Sequence, residues 1–372
     1  MFTNLLGIRL LLLFGRGVPL PPSADVMQAL TGIEVTMADE GDGFQLTFTL
    51  AKDQLFDFSL LRSGALNLFN QVVITALMGA IPEVLINGVI THHQIEPSPD
   101  PGRSTLVVTG RDASVMMDLE ERNATYPNHL DSMIVQQILL SYADEGLLPV
   151  VTPTVDLPLI VQRIPVQAET DLAFVKRLAR RNGYVFHVNP SPIPGQSLAV
   201  FAPELRLSIP SSAVNLNTIT TDNLRSIHFS NDALAATGTD GSFIEPITKL
   251  AIPIPPLPSL RIPPLTTSPT PARRREQLRR SANETPSRAL VSAAAAVSNA
   301  PEPVTATGEV DTARYGSVLR ARSLVGVRGV GLSYDGIYYL RQVTHQMSIG
   351  AYAQSFVMTR EGTGTLLPAV VP

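Results

Sequence analysis

The sequence contains no cysteine, and only 16% of its 372 residues are charged. The lack of cysteine excludes disulfides, thiolate metal sites and cysteine nucleophiles. The charged fraction is well below the roughly 25% that is usual for globular proteins. The net charge is -4, which gives no electrostatic reason to expect nucleic acid or an anionic membrane as a partner. So low a charge content predicts that a large part of the surface contacts other proteins.

The sequence also lacks an uninterrupted apolar run of membrane-spanning length. Residues 5–15 resemble the apolar part of a secretory signal, but Arg9 interrupts them and neither a basic start nor a cleavage site flanks them. Residues 72–90 include Pro82 and Glu83, whereas a spanning helix needs about 20 consecutive apolar residues. We therefore predict no signal peptide and no transmembrane segment, and we interpret the two stretches as an opening strand and a pair of strands.

No arrangement typical of catalysis is present. A Gly-x-x-x-x-Gly-Lys phosphate loop is absent, and no candidate nucleophile lies in a Gly-x-Ser-x-Gly turn. His92 and His93 are the only adjacent histidines, and neighbouring residues of a strand point to opposite faces, which disfavours a shared metal ion. His187 and His345 lie in predicted strands with no carboxylate at a useful spacing. We therefore interpret them as structural residues.

Two pairs of carboxylates were considered for acid-base chemistry. Glu120 and Glu121 are predicted to lie on a helix face, and Asp39 and Glu40 in a turn, so both pairs are expected on the solvated surface. We predict no catalytic, cofactor-binding or metal-binding residues, no cofactor, and no enzymatic activity.

One feature occurs twice. Residues 89–112 and 342–362 both read as two strands joined by a turn, and Ile-Thr-His in the first is echoed by Val-Thr-His in the second. Aligning Thr91 with Thr344 gives an offset of 253, and aligning Thr109 with Thr359 gives 250. The duplication predicts two similar β units, which would let a threefold assembly present six near-equivalent surfaces. Chance similarity between two short hairpins is the alternative.

The hydrophobic pattern changes along the chain. A short helix is expected at residues 24–30, and alternation over residues 33–37 and 44–50 predicts a hairpin. In the middle third, Asp131 is expected to cap a helix that Gly146 terminates. A second helix is expected to begin at Thr170 or Asp171 and to end before Gly183. A strand pair is predicted at residues 184–188 and 197–201.

Residues 246–303 have a different composition, with proline at twelve positions. Because proline lacks the amide donor that a strand ladder needs, we expect polyproline-like or flexible backbone here, with room for one helix between Pro271 and Ser298.

Several segments resemble one known family. The sequence from Glu169 to Phe186, ETDLAFVKRLARRNGYVF, closely resembles the signature of phage late control D proteins and of the hub portion of VgrG-type spikes. Residues 82–91, 118–121 and 334–345 also resemble parts of these proteins. Together the matches span most of residues 30–230 and 310–362.

The resemblance implies an α+β, mainly β fold in a trimeric hub, with two tube-protein-like β-barrel domains and an inserted helical or mixed domain. The expected division is a first barrel at 1–111, the insert at 112–196, a second barrel at 197–245 plus 304–364, a Pro/Arg-rich insertion at 246–303, and a tail at 365–372.

The implied function is that of a structural baseplate hub in a contractile injection system or phage-like tail. A homotrimer would adapt the sixfold inner tube to a threefold spike. Because the sequence stops at Pro372 without the needle of full-length VgrG proteins, the trimeric spike is expected to be a separate chain. The inner tube protein and other baseplate components are the further expected partners, and no nucleic acid is expected. Assembly is expected in the bacterial cytoplasm, as part of a phage tail-like particle. A tail-tip cell-wall hydrolase and an independent β-rich adhesin or binding module are the alternatives.

Overall fold

The computed structural model describes residues 2–5, 8–51, 58–78, 81–100, 102–158, 160, 163–216, 222–244, 250–255, 257–277 and 286–365. Residues 366–372 of the predicted tail therefore lie outside the described residues. The first part of the chain contains β1 Phe2–Leu5, β2 Ile8–Gly15, α1 Ala24–Ala29, β3 Leu30–Ala38, β4 Gly43–Leu50, α2 Ser59–Arg62, β5 Gln71–Met78, β6 Ile81–Glu96 and β7 Ser104–Asp112.

The middle part is mixed. It contains a 3-10 helix Ala113–Asp118, β8 Glu121–Thr125, α3 Asp131–Leu140, a 3-10 helix Ala143–Glu145, β9 Leu147–Val151, β10 Val166–Thr170, α4 Asp171–Asn182, β11 Tyr184–Pro190 and β12 Ser197–Pro203.

The last part returns to strands around a long insertion. It contains β13 Ser211–Asn215, β14 Leu224–Asn231, β15 Thr237–Asp240, β16 Ser242–Ile244, β17 Ala251–Pro253, β18 Ser268–Pro269, β19 Arg274–Gln277, α5 Pro286–Asn299, β20 Val304–Asp311, α6 Thr312–Tyr315, β21 Leu324–Arg328, β22 Gly336–Ser348, β23 Ala351–Arg360 and β24 Gly362–Thr363.

Thirteen strands form one sheet, which confirms the mainly β class. Its order is β1-β2-β5-β6-β7-β4-β3-β22-β23-β20-β14, with β21 beside β22 and β13 beside β21. The predicted hairpins are confirmed as β3·β4, β6·β7 and β22·β23. In β3, Ile33, Val35 and Met37 alternate inward as the pattern requires. The large apolar core lies under this sheet.

The same strand order occurs twice within the sheet. The first unit runs β2-β5-β6-β7-β4-β3 and the second runs β13-β21-β22-β23-β20-β14, each taking its strands from the same places in chain order. A short helix follows the third strand of each unit, α2 in the first and α6 in the second. One pairing differs, because β2·β5 is antiparallel whereas β13·β21 is parallel. The two units are joined by antiparallel pairing of β3 with β22.

Strand bulges fix the correspondence between the units. β6 has a bulge at Thr91, between Ile90 and His92, and β22 has one at Arg341, between Leu340 and Gln342. Thr91 therefore corresponds to Arg341, not to Thr344, so the alignment based on Thr-His was wrong by three residues. Since side chains alternate along a strand, an error of three positions exchanges the two faces.

The helical insert forms a separate core. Apolar side chains of α3, α4 and the three-stranded sheet β11-β12-β9 pack together. The predicted helix at Thr170–Gly183 is confirmed, since the Thr170 hydroxyl accepts the Ala173 amide and Gly183 ends α4 with a φ of 67°. Asp131 does not cap α3, because its buried carboxylate accepts hydrogen bonds from Arg181 and Asn182.

One domain boundary and the content of the insertion differ from the sequence-based prediction. β12, which was assigned to the second barrel, pairs instead with β11 and β9 of the insert. The 246–303 segment does contain the expected helix, α5, but it also contains the short strands β17, β18 and β19, which pair with β16, β24 and β15 outside the segment. Two- to four-residue ladders need few donors, so the prolines did not prevent them. Within the described ranges, no helix combines the length and apolarity needed to cross a membrane.

Candidate functional site: the junction of the two units and two open strand edges

The junction between the units is a seven-residue strand pairing, from Gln342 opposite Ala38 to Ser348 opposite Gly32. On its buried face His345 lies opposite Val35. On the other face the hydroxyl oxygens of Thr36 and Thr344 are 3.2 Å apart. One position further along that face, the Gln346 amide donates to the Glu34 carboxylate at 3.2 Å. The face away from the core thus carries polar cross-strand pairs.

A buried ion pair reinforces the junction. Arg322 donates to both oxygens of Asp42, at 2.9 and 2.8 Å, and also to the Ala38 carbonyl at 2.7 Å. Asp112 accepts the Asp42 amide at 2.7 Å and so fixes the turn that holds this carboxylate. Arg322 has a φ of 63°, a left-handed conformation that places its side chain toward the first unit. A bidentate arginine-carboxylate pair adds geometric specificity as well as energy.

A second charged cluster ties the insertion to the sheet. Arg341 binds Asp39 at 2.6 Å and Glu204 at 3.0 Å. Arg206 binds Glu204 and Glu302, and Glu302 also accepts from the Thr359 hydroxyl. Burial by itself would raise the pKa of Glu302, but Arg206, Arg261 and Arg341 outweigh burial and lower it to about 2. Glu302 is therefore ionised at neutral pH, and the cluster crosslinks five separate segments of the chain.

An apolar cavity of about 370 Å³ lies next to this cluster, between the insertion and the sheet. Arg206, Arg261, Glu302 and Glu361 line it together with five prolines. All four charged side chains form ion pairs with one another or with Glu204. The geometry of this cavity is that of a structural interface between the insertion and the sheet.

The histidines are not brought together. His345 is fully buried and His187 is half-buried, and the pKa of each is lowered to about 3, chiefly by desolvation, with Arg322 contributing for His187 and Arg320 for His345. The Nδ1 atom of His345 is 2.8 Å from the Tyr352 hydroxyl. His92 is exposed, and His93 lies beside it in β6 with a buried Nε2 atom. Among the described residues, no group of three or more His, Asp or Glu side chains is arranged to hold a metal ion.

The carboxylate pairs also differ from expectation. Glu121 begins strand β8, so Glu120 and Glu121 do not lie on a helix face. Asp39 lies in the predicted turn between β3 and β4, but it is half-buried against Arg341 and is not a solvated surface group. Sequence reasoning missed the roles of Asp42, Arg322 and Arg341, because their partners are about 280 to 300 residues away and local pattern carries no such information.

Open strand edges among the described residues include those of β14 and of the second half of β6. β14 is the last strand of the sheet, and its exposed side chains include Ser226, His228 and Ser230. The second half of β6, from His92 to Glu96, pairs with β7 on one side, whereas β5 covers only the first half of β6 on the other side. Open strand edges present unpaired backbone donors and acceptors, so proteins normally cover or use them.

Comparisons with known proteins were made at the level of sequence and of structure. No protein-family model matches the chain, and no curated protein matches it by sequence. Solved structures do match it. The 43 kDa tail protein of prophage MuSo2 from Shewanella oneidensis aligns over 95% of this chain and 99% of its own, with a TM-score of 0.59 and 14% identity.

Two further structures agree. A tail protein from Neisseria meningitidis MC58 covers 96% of this chain and 98% of its own, with a TM-score of 0.59 and 13% identity. The chain has a tail-protein fold. A third match to this tail-protein fold is the E. coli c3393 protein, a type VI secretion component described as similar to the T4 tail proteins gp27 and gp5. It covers 92% of this chain and 77% of its own, with a TM-score of 0.56 and 14% identity.

Proposed function

We propose that this protein is the hub of a contractile tail or injection particle. Three copies close into a ring whose six β units match the sixfold inner tube on one face and hold a threefold spike, supplied by a separate chain, on the other. The role is mechanical. The particle containing it would be assembled in the bacterial cytoplasm, where other baseplate components surround the ring.

The observation that carries the proposal is the repeated six-strand order within one sheet. A chain with two equivalent units needs only a threefold operator to present six similar surfaces. The tail-protein fold supports the same reading, since the matched proteins are described as tail proteins and as a type VI secretion component. A complex of VgrG with PdpA from Francisella is also among the structures with this fold, with a TM-score of 0.56.

The strand composition explains how such a ring would be held. Among the described residues, each unit has an open strand edge, residues 92–96 of β6 in the first and β14 in the second, and ring closure would convert those edges into pairing between subunits. Obligate interfaces of this kind commonly bury more than roughly 2,000 Å² and are rich in apolar area. The low charge content, 16%, suits such a surface.

The test is a copy number. The purified full-length chain, measured by light scattering, is expected to have three times the monomer mass of 40.0 kDa. In electron micrographs of the parent particle, the chain is expected at the distal end of the tube in three copies. Six copies per tip, or a location away from the tube end, would contradict the proposal.

A further inference from the structure

We propose that the open edge of β14 pairs with residues 92–96 of β6 in a second copy of this chain, in the register that the β3·β22 junction uses within one chain. This inference rests on the proposed ring, and it specifies which strands meet and which side chains face each other.

β3 and β14 correspond position by position. Each has a bulge at its second residue, Thr31 in β3 and Arg225 in β14. Each places a buried leucine just before the bulge, Leu30 and Leu224. The correspondence therefore has a constant offset of 194, and it makes His228 the counterpart of Glu34.

β6 and β22 correspond equally well. The Phe69 amide donates to the Ile90 carbonyl at 2.8 Å, and the Arg322 amide donates to the Leu340 carbonyl at 2.6 Å. Phe69 and Arg322 both have a φ of 63°. From the bulge onward the offset is 250, so Glu96 is the counterpart of Gln346.

Within the chain, β3 occupies the edge of β22 that lies beyond the end of β21. The same edge of β6, beyond the end of β5, has no strand among the described residues, and β14 has no strand on its outer side. The two vacant edges are thus the counterparts of the two edges that meet at the junction. Applying the junction to the next copy fills both of them.

The transferred register places compatible side chains opposite each other. Glu96 would face His228, which repeats the donor-carboxylate pair of Gln346 with Glu34. Gln94 would face Ser230, as Thr344 faces Thr36 at the junction within one chain. Ile95 is 39% exposed in the single chain and would face Phe229. The equivalent pair within one chain, His345 opposite Val35, is fully buried. Charge, polarity and burial therefore agree at three successive positions.

The occupant is a second copy because the contact is not self-complementary. A β14 edge on one copy meets a β6 edge on the next, so each copy retains one free edge of each kind until a ring closes. A different tail protein on either edge would leave the counterpart edge of this chain uncovered.

Cysteine crosslinking tests the register, since the native chain contains no cysteine. The variant Glu96→Cys/His228→Cys, oxidised as the full-length protein, is expected to give disulfide-linked dimers and trimers on a non-reducing gel. The matched control, Ile95→Cys/His228→Cys, is one residue out of register and points the two thiols to opposite faces, so it is expected to remain monomeric on the gel. Gln94→Cys/Ser230→Cys, which changes two other exposed residues, is a second in-register pair in case the first impairs folding.

The outcomes separate this inference from the proposed function. Crosslinking of both in-register pairs and not of the control supports it. A protein that is trimeric by light scattering but crosslinks only in the control, or in none of the variants, would overturn the strand pairing while the hub proposal stands. A protein that remains monomeric and is found away from the tube end would overturn both.

Discussion

Two desolvated histidines, the half-buried His187 and the fully buried His345, make the free energy of unfolding of this protein depend on pH. The pKa of each is lowered to about 3 by burial and by a neighbouring guanidinium group. In the unfolded chain a histidine has a pKa of about 6.5, so below that pH the unfolded state binds protons that the folded state excludes. The stabilisation is complete above the unfolded pKa and is lost as the pH falls toward 3.

We expect the substitution His345→Leu to flatten this dependence. The group contributes up to about 5 kcal/mol of pH-dependent free energy of unfolding between pH 6.5 and pH 3, at 1.36 kcal/mol per pKa unit. Urea denaturation at a series of pH values measures the slope. His129→Gln, which changes a histidine that is only half-buried, is the matched control. Parallel curves for wild type and His345→Leu would contradict the assignment, even if the variant is less stable at pH 7 through loss of the Tyr352 contact.

At the scale of elements, one glycine at the end of α4 has both a local and a tertiary role. Gly183 ends the helix in the left-handed conformation, and a Cβ atom placed on it would lie 2.9 Å from the Cα atom of Ala295 in α5. The glycine therefore serves both as a helix stop and as the point where the insertion packs against the helical insert.

Gly183→Ala is expected to lower the free energy of unfolding by more than Gly350→Ala does. Both residues have positive φ, and an alanine there costs roughly 1–2 kcal/mol. Gly350 has open space around it, so only the backbone cost applies, whereas at Gly183 the backbone of α5 must also move. Chemical denaturation of the two variants measures the difference. Equal losses would mean that α5 does not pack on Gly183 in solution.

The β3·β22 junction is also decided at this scale. Its backbone pairing is repeated by counterpart strands, but its ion pair is not: Phe69 occupies the position of Arg322, and Leu68 that of Ala321. The link inside the chain is therefore charged and buried, while the corresponding surface of the first unit is apolar and half exposed. This asymmetry distinguishes the β3·β22 junction inside one chain from the proposed junction between two copies of the chain.

At the scale of the whole molecule, the ring predicts that this apolar surface becomes covered. Leu68 and Phe69 are 50% and 48% exposed in the single chain. We expect Leu68→Ser/Phe69→Ser to leave the melting temperature of the subunit nearly unchanged but to weaken the trimer at least about tenfold, since losing 1.4 kcal/mol of apolar contact is enough. Sedimentation at a series of concentrations measures the dissociation. Ile209→Ser, at a residue that is 92% exposed, is the matched control and should not weaken it. Equal trimer stability in both variants would argue against this surface being an interface.

Local pattern predicted most elements because their causes are local. The period of two in β3 and β4, the Thr170 cap and the Gly183 stop of α4, and the helix in the proline-rich insertion all depend on residues within a few positions of one another. The register of the duplication was wrong because Thr-His is a short match, whereas the bulges that fix the alignment depend on hydrogen bonds between strands. The pairing of β12 with β11 was predicted and is confirmed, but the expected boundary at residue 197 separated these two strands, since a local strand pattern does not specify the domain to which a hairpin belongs.

The sequence by itself determined local features such as the hairpins and the Gly183 stop of α4, excluded cysteine chemistry, and indicated a repeated β unit without its register. Tertiary structure decided how the two units of the chain join: that β3 pairs with β22, that Arg322 reaches Asp42 across 280 positions, and that, within the described ranges, β14 and residues 92–96 have open edges. The physical reason is that periodicity and capping act over a few residues, while strand partners and buried ion pairs are chosen by which surfaces meet when the whole chain has folded.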